Sequence, residues 1–183
     1  MKLNRTVTFV LAGMLLFCLA GYAPAQETEN TKQEAASDAG GAEDAMTKGF
    51  QLSLFNPWQI HKPDVSIKGF RWNFLYGTNA NVSGLDMGAA NVATGDVEGL
   101  QFGIYNEAGN TAKGAQLGVM NTAQESEGLM QLGVFNHVTN MKGYQFGLIY
   151  NSADTLDGVQ IGLLNFVWSR ESMTFFPLVN VSF

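Results

Sequence analysis

The sequence predicts an all-β fold, a repeat β-solenoid built from coils of about 15 residues. A short phrase recurs along the chain, its spacing is nearly constant, and apolar and polar residues alternate inside each copy. The cleanest copy, residues 99–106, reads Gly-Leu-Gln-Phe-Gly-Ile-Tyr-Asn. Residues 114–121 and 158–165 repeat the pattern Gly-x-Gln-apolar-Gly-apolar-apolar-Asn. A fixed internal period of this kind is typical of stacked repeat architectures.

Two polar positions define the period. Successive glutamines lie 15, 15, 14 and 15 residues apart, Asp86 takes the glutamine position one period earlier, and Asn180 extends the asparagine series. If each period is one coil, identical positions stack about 4.8 Å apart and their amides can hydrogen-bond along the stack. We therefore predict two structural ladders, with ligand binding by the glutamine row as the alternative hypothesis. The predicted ladders are Gln101, Gln116, Gln131, Gln145 and Gln160, and Asn91, Asn106, Asn121, Asn136, Asn151 and Asn165.

Within a copy, the alternation has the period of a strand. Leu100, Phe102 and Ile104 point to one side of the strand, and Gln101 and Gly103 point to the other. We expect the apolar side to face inward, and the small polar residues after each asparagine to form a turn with a short second strand or an extended arc. The expected core columns are Leu85, Leu100, Ala115 and Val159, and Met87, Phe102, Leu117, Leu132, Phe146 and Ile161.

The first 25 residues have the composition of a secretory signal peptide. Lys2 and Arg5 precede an apolar stretch over residues 7–20, and residues 23–25, Ala-Pro-Ala, supply the small residues of a cleavage site. The apolar stretch is too short for a typical membrane-spanning helix. Residues 1–25 are therefore predicted to direct export.

The rest of the chain divides into a linker and one domain. Residues 26–48 are acidic and polar, with no aromatic or branched aliphatic side chain. Such a segment has too little apolar surface to offset its ordering entropy, so we predict a flexible linker. Residues 49–183 form the predicted β-repeat domain. Its first copy, interrupted by Pro57 and Pro63, is expected to be an atypical terminal cap.

Composition excludes several function classes. The 183-residue chain has a net charge of −6, and so few basic residues argue against a nucleic-acid partner. The single cysteine, Cys18, lies in the predicted leader, so the exported chain would lack a disulfide. His61 and His137 do not have the spacing of metal ligands, and His137 falls in a predicted exposed turn. We expect no enzymatic activity, no cofactor and no metal.

A small outer-membrane β-barrel of about eight strands is the alternative fold. The chain ends on the alternating residues Phe175, Pro177, Val179, Val181 and Phe183, as membrane strands do. Such strands need about 9–11 residues, whereas each copy alternates over only three apolar positions. Antiparallel neighbours would also give no reason for identical residues to stack. These arguments favour the solenoid.

Several segments carry a family resemblance. They are residues 52–59 (Leu-Ser-Leu-Phe-Asn-Pro-Trp-Gln), 69–77, 82–88, the repeats, and 175–183. Together they resemble the leptospira-type bacterial surface-repeat proteins over about residues 49–183. This resemblance implies an exported, envelope-associated protein and no particular activity. Residues 101–108 and 116–123 are also similar to the Gln-x-Gly-x-x-Asn-x-Ala core of curlin, the fibre subunit.

The sequence therefore predicts an exported, non-enzymatic envelope or surface repeat protein with a structural, adhesive or ligand-binding role. The expected location is the outer membrane or cell surface, with the periplasm as an alternative. The expected partner is a glycan or another protein at the cell surface, with outer-membrane association and no nucleic acid. Two functional alternatives are a small integral outer-membrane barrel and a curli-like subunit that assembles through its open ends.

Overall fold

The computed structural model describes residues 47–171 and 173–183. This part of the chain is all-β and forms a β-solenoid of about six turns, with stacked coils of about 15 residues. The predicted solenoid is confirmed. The predicted signal peptide, residues 1–25, and all but the last two residues of the predicted linker, 26–48, lie outside the described residues. Within the described ranges, no helix is long and apolar enough to cross a bilayer.

The strands form one sheet that winds around the solenoid. Its order is β2-β1-β3-β4-β5-β6-β7, and β1, β3, β4, β5 and β6 pair in parallel. Each coil lies in register on the previous one, as the pairing of Asn91 with Asn106 shows. This parallel stacking differs from the antiparallel neighbours that the barrel alternative requires. The strands are β1 (Thr47–Phe55), β2 (Trp58–Gln59), β3 (Ser66–Asn79), β4 (Val82–Ala93), β5 (Val97–Ser126), β6 (Leu129–Val167) and β7 (Phe175–Ser182).

The two glycines of the repeated phrase have different structural roles. Gly99, the first glycine of its phrase, has a φ of 128°, which side-chain-bearing residues rarely adopt. Gly103, the second, faces the interior, where an added Cβ would lie 2.6 Å from both the Asn91 Nδ2 and the Gly88 carbonyl oxygen. The first glycine therefore makes the corner, and the second makes room for the asparagine amides.

The apolar core comes from the segment that follows each asparagine. Ala108 and Ala112 are completely or almost completely buried, and small aliphatic side chains occupy the equivalent positions in other coils. This segment, predicted as a turn with a short second strand or an extended arc, is extended, because β5 and β6 continue through it without interruption. The core cluster is Val82, Ala93, Val97, Ala108, Ala112, Ala123, Leu129, Val138, Met141 and Ala153.

The predicted core columns were placed on the wrong side of the strand. Leu100, Phe146 and Ile161 are 43%, 36% and 42% exposed, whereas Gln101 is completely buried. Stacked amides fill this side of the coil interior while satisfying one another, so the apolar side chains of these columns lie outside. All the predicted columns except the buried Ala115 are at least partly exposed: Leu85, Leu100 and Val159, and Met87, Phe102, Leu117, Leu132, Phe146 and Ile161.

The two ends of the array are closed differently. At the first coil, the Gln51 side chain accepts a hydrogen bond from the His61 backbone N–H (2.9 Å) and donates one to its carbonyl oxygen (3.0 Å). At the last coil, β7 turns back and pairs antiparallel with β6. Asn180 therefore lies opposite Gln160 rather than above Asn165. Its predicted place in the asparagine series is wrong, because the closing strand runs in the reverse direction.

Candidate functional site

The five predicted ladder glutamines are completely buried and hydrogen-bonded in one direction. From Gln116 onward, each Nε2 donates to the Oε1 of the glutamine one coil earlier, as from Gln116 to Gln101 (2.7 Å) and from Gln145 to Gln131 (2.9 Å). Asn180 adds a last rung, because its Nδ2 donates to Gln160 Oε1 over 2.8 Å. The side-chain N–H groups of this ladder all point toward the first coil.

The asparagine ladder runs beside it with the opposite polarity. Asn91 Nδ2 donates to Asn106 Oδ1 (2.9 Å), and Asn106 Nδ2 donates onward to Asn121 Oδ1 (2.8 Å). Several of these amides also donate to a main-chain carbonyl in the next coil, such as Asn106 to the Leu117 oxygen. The ladder thus joins neighbouring coils through side-chain and main-chain contacts. The predicted members Asn91, Asn106, Asn121, Asn136, Asn151 and Asn165 are all buried.

A buried ion pair begins the glutamine ladder. Arg71 Nε and Nη2 donate to the two carboxylate oxygens of Asp86 over 2.7 and 2.6 Å, and neither side chain is exposed. Arg71 Nη1 also donates to the Val92 carbonyl oxygen, and Gln101 Nε2 donates to Asp86 Oδ2. Bidentate geometry and additional hydrogen bonds are what make a buried ion pair tolerable.

The charges at its ends set the direction of the ladder. An ionised carboxylate only accepts hydrogen bonds, so Gln101 must turn its N–H toward Asp86 and its Oε1 toward Gln116. Each later rung then has one remaining orientation. At the far end, Asn180 Oδ1 accepts a hydrogen bond from Arg170 Nη1 over 3.1 Å. An anion thus meets the N–H end and a cation the C=O end, the same complementarity that stabilises helix termini.

These contacts decide between the two hypotheses for the glutamine row. Gln101, Gln116, Gln131, Gln145 and Gln160 are each 0% exposed. A ligand outside the coil cannot reach them, and their donors and acceptors already bind one another. The ligand-binding hypothesis for this row is therefore wrong, and the candidate interaction surface must lie elsewhere.

That surface lies on the outside of the strands that carry the glutamines. We call it the apolar wall. It consists of the outward side chains one residue before, one residue after and three residues after the glutamine position of each coil. The first two positions pair in register between neighbouring strands and form rows across the sheet. The third position recurs once per coil at the same place in the phrase and forms a third row. The rows are Phe50, Phe70, Leu85, Leu100, Ala115, Met130, Tyr144, Val159 and Val181; Leu52, Trp72, Met87, Phe102, Leu117, Leu132, Phe146, Ile161 and Val179; and Leu54, Phe74, Ala89, Ile104, Val119, Val134, Leu148 and Leu163.

The apolar wall contains no charged side chain in any of its three rows. Its most prominent members are well exposed: Leu148 is 75% exposed, Phe74 63% and Ile104 62%. Ala115 is only 6% exposed and leaves a shallow depression between Leu100 and Met130, its neighbours in the row. Contiguous apolar surface of this extent is characteristic of interaction sites.

A charged row borders the apolar wall. It consists of the residue before the first glycine of each coil, and its sign alternates from Glu98 onward. Lys113 Nζ and Glu127 Oε2 are 2.6 Å apart, and this hydrogen bond raises the pKa of Lys113 and lowers that of Glu127. Both groups are exposed, so solvent screens the pair. Ser83 is the uncharged member of this row, and the charged border is Lys48, Lys68, Glu98, Lys113, Glu127, Lys142 and Asp157.

His137 is not in an exposed turn as predicted. It lies within β6, is partly buried, and aligns with Thr122 of the previous coil. Burial lowers the pKa of His137, and the nearby charge of Asp154 opposes that shift. Across residues 47–171 and 173–183, no three His, Cys, Asp or Glu side chains are grouped to hold a metal ion.

The outward orientation of the apolar wall can be predicted from the variation in side-chain size between coils, although the apolar residue types suggest a core. One row holds Ala115, Met130 and Tyr144 at equivalent positions, whereas the glutamine position hardly changes. A close-packed interior does not accept such changes in volume, so the variable side is the outer one. No family model, curated protein or solved structure matches the chain.

Proposed function

We propose that this chain is an exported, non-enzymatic protein of the cell envelope, whose rigid solenoid presents the apolar wall to another protein. The observation that carries the proposal is the wall itself, with prominent residues such as Leu148 and Ile104 more than half exposed. The leader-like residues 1–25 and the resemblance to bacterial surface-repeat proteins support export and an envelope location.

The internal ladders explain why the wall is available for binding. In most β proteins, large apolar side chains are needed to fill the core. Here the amide ladders and the small aliphatic residues around Ala108 occupy the interior. The outward leucines and isoleucines therefore contribute less to internal packing, and burying them against a partner would remove much additional apolar area from water.

The curli-like alternative receives less support from the ends of the array. Growth by end-to-end stacking needs free strand edges. One end carries the β2 segment and the Gln51–His61 contacts. The other end has β7, which is antiparallel and contains Pro177, a residue with no backbone N–H to donate. A side-on contact through the wall fits this geometry better.

Export and wall contact are tested together by site-specific photo-crosslinking in intact cells. The full chain is produced with p-benzoylphenylalanine replacing Leu148 on the wall or, as control, Asn110, an exposed residue on a polar face. We expect a processed protein beginning near Gln26 in the envelope fraction, with discrete adducts from position 148 and none from position 110. An unprocessed chain in the cytoplasm, or equal labelling at both positions, contradicts the proposal.

A further inference from the structure

We propose that the partner of the apolar wall is the wall of a second copy of this chain, so that two solenoids pack face to face. This inference rests on the proposed function, because it names the protein that covers the same surface. The reasons are the size of the wall, its shape and the charges along its border.

The projected area of the wall is of the same order as one side of a dimer interface. About nine strand segments spaced 4.8 Å apart give a length of roughly 40 Å, and four residue steps of about 3.3 Å give a width of roughly 13 Å. The projected area is therefore about 500 Å², and protruding side chains such as Leu148 increase the accessible area. A stable interface of standard size buries about 800 Å² from each partner.

The wall also has a suitable shape for packing on itself. Two β-sheets pack face to face about 10 Å apart when the side chains of their apolar faces interdigitate. Ile104 and Leu148 protrude, with 62% and 75% exposure, while the buried Ala115 leaves a depression between its larger neighbours. The same surface thus offers both projections and a depression, as a two-fold interface requires of one patch.

Charge favours a second copy over a lipid surface. Proteins that lie on bilayers usually surround their apolar face with lysines and arginines, which anionic lipids attract. This chain has a net charge of −6, and from Glu98 onward its border alternates acids and bases instead. An alternating row repels an anionic surface about as much as it attracts one, but it can complement another alternating row.

The border also indicates how the two copies align. A two-fold axis parallel to the strands brings the same border of both copies together, with the coil order reversed. If the axis passes between the coils of Lys113 and Glu127, Lys113 faces the partner's Glu127, and Glu98 faces the partner's Lys142. Displacing the axis by half a coil spacing instead sets Lys113 against the partner's Lys113. Complementary charge thus excludes the second alignment. Among the alignments that pair opposite charges, the first also overlaps the two walls almost completely, so we adopt it.

The first test is the mass of the full chain in solution, measured by sedimentation equilibrium over a range of concentrations. We expect a dimer for the wild type. Ile104→Lys and Leu148→Lys should each weaken dimerisation about 30-fold or more, because they bury a charge in the interface. Asn110→Lys, on the exposed polar face, should leave the dimer unchanged. A dimer that persists in both wall variants overturns the inference.

The second test concerns the alignment. Glu98→Lys and Lys142→Glu should each weaken the dimer several-fold, and combining them should restore wild-type affinity. Three coils, about 14 Å, separate these residues in one chain, beyond the Debye length of about 8 Å at physiological salt. Restoration must therefore act between chains. Purely additive losses overturn the alignment.

Two further outcomes separate this inference from the proposed function. If the wild type is a monomer that binds phosphatidylcholine vesicles through Leu148, a bilayer is the occupant and the second copy is excluded. If photo-crosslinks from position 148 have the mass of the chain plus a different protein, the proposed function stands and the inference fails. Crosslinks of twice the chain mass support both.

Discussion

The glutamine ladder has charged rungs at one end and neutral rungs along the rest. Arg71 and Asp86 are as completely buried as Gln116 and Gln131. A neutral amide both donates and accepts, so the same rung can repeat without limit. A carboxylate only accepts and needs a cation beside it. The comparison shows that the fully buried charges of the ladder lie in the first coils, where they set the direction that the neutral rungs continue.

Removing the acid should have the largest effect. In Asp86→Leu, the Arg71 guanidinium loses both charge-assisted hydrogen bonds inside the solenoid, and Gln101 loses its acceptor. We expect the free energy of unfolding to fall by about 3–5 kcal/mol, as measured by urea denaturation. Asp157→Leu, which removes an exposed acid, is the matched control and should change it by no more than about 0.5 kcal/mol.

The double variant Arg71→Met/Asp86→Leu distinguishes an unpaired charge from lost packing. It should recover more than half of the free energy of unfolding that Asp86→Leu loses, because replacing a whole buried ion pair with apolar side chains is often neutral. If the double variant is less stable than Asp86→Leu, the ion pair contributes stability that the unpaired-charge explanation does not include.

Placing an acid on a neutral rung sharpens the comparison. In Gln131→Glu, the protonated carboxyl can still donate to Gln116 and accept from Gln145, whereas the ionised form offers no donor. The pKa of the introduced carboxyl should therefore rise above its usual value of about 4.3. The folded state then binds more protons than the unfolded state, so stability falls as pH rises above about 4.3, by about 1.4 kcal/mol per pH unit.

Thermal unfolding between pH 4 and pH 7 measures this effect, and we expect a total loss of about 3 kcal/mol. Gln124→Glu carries the same change at an exposed position and should show no such pH dependence. Equal pH profiles for the two variants would mean that the interior of the coil admits water or an ion beside residue 131.

The smallest effect is expected at His137, outside the ladders. Its pKa is lowered from 6.5 by burial, so the unfolded chain binds this proton more readily than the folded one. Stability from neutral His137 is fully present above about pH 6.5 and is lost as pH falls through the folded pKa, by at most about 1.4 kcal/mol per pH unit. His137→Gln should remove this slope, as followed by urea denaturation. An unchanged slope would assign the acid sensitivity to another group.

The period of the sequence was enough to predict which residues stack. Asn91 pairs with Asn106, and Gln116 with Gln131, because only a parallel solenoid returns equivalent positions to the same place in each coil. The Arg71–Asp86 pair is visible in the same way, since these residues are one period apart. It is harder to recognise, because the copy that contains Arg71 keeps little else of the phrase.

The inside and outside of the coil could not be predicted from alternation alone. A period of two shows that Gln101 and Phe102 lie on opposite faces of the strand, but it does not show which face is buried. The usual preference of apolar side chains for the interior then gave the wrong choice. Gly103 indicates the correct side, because a glycine that recurs on the same face as the glutamine marks a face where a larger side chain would not fit.

The alternating charged border has a period of two coils, although the backbone repeats every coil. Removing one coil, such as residues 99–113, would bring Glu98 next to Glu127, whereas removing residues 99–127 would leave Glu98 beside Lys142. The backbone and the ladders tolerate either change, but only the longer one preserves the order of charges. Arrays of this design should therefore lengthen or shorten most readily by pairs of coils, so the unit of duplication is twice the unit of folding.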